Sequence, residues 1–305
     1  MNQPRGPIGF ICPRDGKNVP FDHCFMECKH PCMSIPFLFA IAKTREVKEG
    51  FYSTTTIYNP SQIVWLQRNK TYFVKPKSKV FATLGTAWHN VMEEGLKDIN
   101  EEERKHYHVE WDNYFEVDFG FATLTGRPDL WISDIKLLRD WKTMKYYTCK
   151  KLKAGDWDDS TYHWQLNTYR WFKYPEAEMV DLECIIKDWQ TRYEAEDIHE
   201  HEIIPVPNIK EDVLKQRAEY LLKLHSDCQG DPSKIIPCTR EDVWYQDNPR
   251  SQNDGIPLRC RDYCDVHTVC PQARQWYQAN GGWRAANVVS DKRPQIKQKT
   301  MEGEL

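Results

Sequence analysis

The chain has 305 residues, a formal charge of −3 at pH 7 and 40% hydrophobic residues, and its 12 Trp, 15 Tyr and 12 Phe supply more buriable surface than a solvated chain carries. Disorder throughout is therefore excluded, and so is a coat of basic charge, which leaves any nucleic-acid contact to a local patch. The longest apolar stretch, Ile35 to Ala42, is interrupted by Pro36 and falls far short of the roughly 20 residues of a membrane span; the first residues lack a secretory pattern, so a cytoplasmic protein with no membrane contact is expected.

Residues 1–34 are rich in Pro and Gly and lack periodicity, as in a small knuckle held by something other than a core. Residues 51–82 are a mixed connecting region. From there Leu84, Ala87, Trp88, Val91, Met92 and Leu96 recur at helical spacing and predict one buried stripe. Val109, Trp111, Phe115, Val117, Phe119 and Phe121 alternate as a strand that polar Asn113 breaks once, and short extended runs follow over 129–132 and 136–143. Residues 145–160, basic and aromatic and then polar, read as a loop. A helix is expected over 162–173, ended by Pro175, then strands over 182–189 and 202–206. Asn208 with Glu211 resembles a capping box opening a helix through Leu214, Leu222 and His225.

The 11 cysteines fall into groups: Cys12, Cys24, Cys28 and Cys32 crowd the start, Cys238, Cys260, Cys264 and Cys270 a late stretch, and Cys149, Cys184 and Cys228 are scattered. Reducing compartments do not preserve structural disulfides, so two groups of four point to bound metal. The scattered three read as small apolar core residues.

Four short motifs lie on this scaffold in order. GTAWHNVMEE puts His89 and Glu93 on one edge of a helix; GRPDL puts Asp129 at the start of a strand; RDWKT puts Asp140 and Lys142 on one face of the next; QLNTYRW puts Gln165 and Tyr169 on one helix face. Each alone is commonplace: a DxK pair is usually a surface ion pair, and a helical His is usually structural. Together they suit phosphodiester hydrolysis, in which carboxylates and an imidazole hold hard divalent cations and a lysine orients water and stabilises the phosphate charge. Lys145, Lys150, Lys151 and Lys153, interleaved with Tyr146 and Tyr147 just after Lys142, suit phosphate neutralisation and base stacking.

These motifs, in this order over roughly Tyr52 to Gln272, resemble the RecB-like branch of the PD-(D/E)XK exonuclease superfamily, which includes CRISPR-associated iron-sulfur exonucleases and phage-encoded exonucleases. The resemblance implies an α/β restriction-endonuclease-like core, a mixed sheet flanked by helices, with cysteine-rich metal-binding ends. It implies Mg²⁺ or Mn²⁺ held by His89, Asp129, Asp140 and the main-chain carbonyl of Trp141, with Lys142 catalytic, Gln165 and Tyr169 supporting it, and Glu93 behind the ligands. It also implies a 4Fe-4S cluster on one upstream and three downstream cysteines. Here Cys260, Cys264 and Cys270 supply the three, while the expected upstream position near Asn59 and Pro60 has none. Cys238, or Cys28 or Cys32, is left as fourth ligand, and zinc is the alternative metal. Cys12, Cys24, Cys28 and Cys32 resemble a zinc knuckle.

The expected layout is a knuckle and linker over 1–50, a nuclease core over 51–230, a cysteine-rich metal-binding region over 231–285 and a disordered tail over 286–305. The expected function is a metal-dependent deoxyribonuclease, an exonuclease on single strands or duplex ends in recombination, repair or phage DNA processing, with DNA and recombination or repair proteins as partners. The alternative is a non-catalytic DNA-end-binding or assembly module that keeps the Cys-bound metals. A third reading, an iron-sulfur redox protein, finds no flavin or nicotinamide motif in the sequence to support it.

Overall fold

The structure, a computed structural model, describes residues 5–43, 47–157, 160–247 and 254–279. The tail expected over 286–305 lies outside the described residues. Contacts divide the chain into two units, Met1–Cys238 and Thr239–Leu305.

The first unit opens with a hairpin of β1 (Gly6–Ile11) and β2 (Asn18–Pro20), a five-residue π-turn over His23–Glu27 and helix α1 (Ile35–Ala42). The connecting region is more regular than its sequence suggests: β3 (Phe51–Ser53), α2 (Thr54–Ile57), α3 (Ser61–Asn69) and β4 (Thr71–Val74) fill it. β4 pairs parallel with β1, which ties the N-terminal hairpin into the unit. Then come α4 (Pro76–Lys97), α5 (Glu101–Arg104), β5 (Tyr107–Val109), β6 (Phe115–Asp118), β7 (Thr123–Gly126), β8 (Leu130–Ile132), β9 (Leu137–Met144), α6 (Tyr146–Lys153), α7 (Thr161–Lys173), β10 (Met179–Ile186), β11 (His201–Pro205) and α8 (Glu211–Gly230).

A mixed five-stranded sheet in the order β11-β10-β9-β8-β5 forms the centre; β9 and β10 run parallel, and the other neighbours run antiparallel. β3-β7-β6 make a second, smaller sheet. Successive residues of β9 face opposite sides. Leu138 and Met144 pack with Leu166 and Tyr169 of α7 and with Leu182, Cys184 and Ile186 of β10, whereas Leu137 and Trp141 pack with Trp88, Met92 and Leu96 of α4.

Several expectations are corrected. The alternation from Val109 to Phe121 is not one strand. Asn113, fully buried, donates from Nδ2 to the carbonyls of His108 and Pro128 and accepts from the Tyr174 hydroxyl, so the residue that broke the alternation pins a turn where the chain changes sheets. Residues 145–160 are not all loop, since α6 occupies Tyr146–Lys153 and buries Cys149 and Leu152. The stripe of α4 is narrower than expected: Trp88, Met92 and Leu96 meet the sheet, while Leu84 and Val91 stand 44% and 61% exposed. The capping box on α8 is absent too, because Lys210 is the cap residue and Asn208 Oδ1 accepts from Arg170.

The second unit holds an isolated bridge between Tyr245 and Pro257, a second five-residue π-turn over Arg259–Tyr263 and α9 (Pro271–Ala279). Among its described residues, Val243, Ile256, Val266 and Ala273 are the buried aliphatic ones.

Candidate active site

Asp140 and Lys142 share the β9 face that carries Leu138 and Met144, so this acid and base enter from a strand otherwise committed to the core. Asp129 closes the turn into β8, and its Oδ2 accepts the backbone N–H of Trp141 at 2.8 Å, which locks the two strands in register at the site. Gly126, three residues earlier, is fixed by contact: a Cβ there would lie 2.2 Å from the Phe115 ring and 3.0 Å from Thr54 Oγ1. His89 reaches in from α4, held by the packing of Trp88 and Met92 one position before and three after. Its Nε2 donates to the Trp141 carbonyl at 2.9 Å, and its Nδ1 lies 3.4 Å from Asp129 Oδ1.

Lys142 completes the cluster. Its Nζ forms an ion pair with Asp140, lies 3.6 Å from Asp129 Oδ2 and donates to the Trp141 carbonyl at 3.3 Å. Burial and then the neighbouring charge of Asp129 push the Asp140 carboxyl up to about 7, against the pull of Lys142. Burial opposes charge on Lys142, but Asp140 and then Asp129 outweigh it and its pKa is raised. On α7, Gln165 Nε2 donates to the Tyr169 hydroxyl at 2.9 Å, and burial followed by the charge of Asp140 raises the Tyr169 pKa. His89, Asp129, Asp140, Trp141, Lys142 and Tyr169 are thus brought together from α4, the start of β8, β9 and α7. Glu93 lies one turn beyond His89 and lines a cleft of about 410 Å³ with Arg104, His108 and Asp112.

Tyr162 belongs to the same neighbourhood and was missed in the sequence. Burial raises its pKa and the charge of Lys142 opposes the rise. Its spacing from Gln165 and Tyr169, three and seven residues, is the signal that could have found it.

The lysines expected to meet DNA are placed differently from a solvated loop. Lys150 pairs with Glu196, Lys151 with Asp156 at 3.1 Å, and Lys153 with Glu202 at 3.0 Å. Lys145 sits at the start of α6, close enough to Lys187 for its charge, after burial, to lower the Lys187 pKa. Lys187 also stacks over exposed Phe81, 4.4 Å from the ring centre, and its N–H bonds the Met144 carbonyl at the end of β9. The charge of Asp188, which accepts the Tyr146 N–H, opposes the lowering at Lys187, so two cations and one acid share this end of β9.

Among the described residues, no three or more His, Cys, Asp or Glu side chains are gathered so that they could hold a metal ion as they stand. Around Asp140 the negative charge is met by Lys142 instead. The donor chemistry nevertheless fits a hard divalent cation: two buried carboxylates, a carbonyl and an imidazole converge, and Lys142 is the cation that now faces both carboxylates.

No protein-family profile matches the chain, and neither does any curated protein. Three solved structures resemble it in part. SSO0001 is 18% identical with a TM-score of 0.40 over 77% of this chain and 92% of its own. A phage-related exonuclease from Haemophilus somnus 129PT is 14% identical, with a TM-score of 0.32 over 48% and 73%. An alkaline exonuclease from Laribacter hongkongensis is 9% identical, with a TM-score of 0.32 over 61% and 95%. Functional weight therefore rests on the geometry of the site.

At the cysteines, Cys260 and Cys270 are buried and Cys270 Sγ accepts the backbone N–H of Ala273 at 3.4 Å. Burial pushes the Cys264 thiol up to about 11. Cys238 is buried, and its N–H bonds Gln62. Cys149 and Cys184 are fully buried in the main core, as expected of small apolar residues. Among the described residues, no helix is long and apolar enough to cross a membrane.

Proposed function

We propose that the chain is a metal-dependent deoxyribonuclease, an exonuclease acting on single strands or duplex ends in recombination, repair or phage DNA processing. The observation that carries this reading is the convergence of His89, Asp129, Asp140, the Trp141 carbonyl and Lys142 from three separate elements. An ordinary surface DxK pair would not bury an aspartate and surround it with a second acid and a histidine.

His89, Asp129, Asp140 and the Trp141 carbonyl would hold Mg²⁺ or Mn²⁺. When bound, such an ion lowers the pKa of a coordinated water and neutralises charge on the phosphate. Lys142, within reach of both carboxylates, orients the attacking water and stabilises charge on the non-bridging phosphate oxygens. In the reaction the attacking water gives up a proton to solvent as its oxygen forms the new P–O bond, the P–O bond to the leaving sugar breaks, and the leaving oxygen takes up a proton from solvent. Gln165 and Tyr169, joined by a hydrogen bond, support the lysine, with Tyr162 on the same helix beside them. Lys145, Lys187 and Phe81 offer the strand two charges and a ring. Cys260, Cys264 and Cys270 contribute to a structural metal centre, iron-sulfur or zinc, in the second unit.

Incubation of the purified chain with end-labelled single-stranded and duplex DNA, with and without Mg²⁺ or Mn²⁺, tests the reading. Metal-dependent release of labelled mononucleotides or short oligonucleotides is expected. DNA bound but intact at every metal concentration would favour the non-catalytic alternative.

A further inference from the structure

Two stretches far apart in the sequence, HCFMEC and RCRDYC, adopt one local backbone form. Each is an isolated five-residue π-turn, with one cysteine at its second residue and another as its C-cap. In each, the second cysteine's N–H bonds the carbonyl five residues back, Cys28 to His23 at 3.0 Å and Cys264 to Arg259 at 2.7 Å. The flanking angles agree closely: φ −57° and ψ −43° at Asp22 against −57° and −39° at Leu258, and −70° and 108° at Cys28 against −82° and 117° at Cys264. π-turns are rare and concentrate where the backbone must present side chains for function. Two of them, each straddled by cysteines with three residues between, are one device used twice.

In the N-terminal copy the remaining thiols are at hand. Cys12 follows β1, in a tight turn closed by Gly16 N–H to the Cys12 carbonyl at 2.8 Å, and Gly16 has φ +71°, which favours glycine. Arg14, in the same turn, donates to Cys28 Sγ at 3.6 Å, so its guanidinium links the hairpin turn to the π-turn. Cys24 and Cys28 lie on the π-turn itself, and Cys32 follows four residues later, ahead of α1. Behind them the apolar support is small: Phe25, inside the π-turn, stacks on Phe39 of α1 at 4.0 Å, with Phe10 and Phe21 alongside. A hairpin turn and a π-turn that carry cysteines and are backed by only a few rings gain stability from a cation that cross-links them.

We infer that Cys12, Cys24, Cys28 and Cys32 form a complete four-thiolate site for a structural zinc ion, with Arg14 holding the Cys28 thiol against the turn that carries Cys12 until the metal binds. Zinc suits the place because it is redox-inert, takes a closed tetrahedral thiolate shell and accepts the three-residue spacing of Cys24 and Cys28. The thiols are not gathered tightly enough to hold a metal as they stand, so binding draws them in. A set complete in itself leaves neither Cys28 nor Cys32 for the downstream metal.

The test uses the full-length chain loaded with Zn²⁺ alone. Cys24→Ser with Cys28→Ser should lose about one equivalent of zinc, whereas Cys260→Ser, Cys264→Ser and Cys270→Ser together should retain it. In the unmutated chain, mass-spectrometric mapping of alkylated thiols should find Cys12, Cys24, Cys28 and Cys32 protected as a group and released together by a chelator. Full zinc content in the N-terminal double variant would overturn the site, as would alkylation of these four thiols at rates indifferent to zinc.

Discussion

His225 shows how a single residue sets a pH limit. It is 1% exposed, its Nε2 donates to the Ile57 carbonyl at 2.9 Å, and its Nδ1 has no partner. Burial lowers its pKa from 6.5, so the folded chain keeps it neutral while the unfolded chain protonates it near the ordinary value. The unfolded state then binds more protons, and stability falls as the pH drops below 6.5, by up to about 1.4 kcal/mol per unit from this group. Thermal melts between pH 7.5 and 5.5 should show that loss, and His225→Gln, which can still donate to Ile57, should flatten it; an unchanged slope would show that other groups carry it. At this scale the sequence was legible where chemistry follows short spacing: Asp140 and Lys142 share a face because strands alternate, and Gln165 meets Tyr169 because helices repeat near four. Lys187 and Phe81 were not, because only the fold brings residues a hundred positions apart into a cation–ring contact.

Among the elements, β6 and β7 depend on a glycine in the GRPDL motif. Gly126→Ala would drive a methyl into Phe115, and overpacking of this kind costs about 1–3 kcal/mol, to be read as a lowered urea midpoint. A midpoint equal to that of the unmutated chain would mean Phe115 moves freely aside. α6 redirects the expected DNA contacts. Lys150, Lys151 and Lys153 already have acidic partners, so Lys145→Ala with Lys187→Ala should reduce DNA affinity and its salt dependence more than the three together, by roughly one unit of log-log slope per lost phosphate contact. Filter-binding across a salt series decides; equal slopes would place the strand elsewhere. Residues 145–160 misled because lysine and tyrosine suit a helix as well as a loop, and burial of Cys149 and Leu152 settled the matter. The α4 stripe misled because periodicity gives a face but not how far the neighbouring sheet extends beneath it.

For the whole molecule, the alternation of helices and strands from α4 to β10 was legible as an α/β core, since the pattern of apolar residues changes period at each boundary. The split into three sheets among the described residues was not, because strand partners are set by long-range pairing: β1 with β4, and β3 with β7, join segments with much chain between them. Fold and chemistry meet at one buried carboxylate, Asp140. Single-turnover hydrolysis of end-labelled single-stranded DNA across a Mn²⁺ titration, for the unmutated chain, Asp140→Asn and Lys142→Ala, tests this most directly, with circular dichroism confirming that each variant is folded. The unmutated chain should cleave with saturable metal dependence. Each variant should lose several orders of magnitude in rate, roughly the several kcal/mol that a lost ligand or charge costs the transition state. Cleavage by folded Asp140→Asn or Lys142→Ala at the rate of the unmutated chain would contradict the assignment of this cluster.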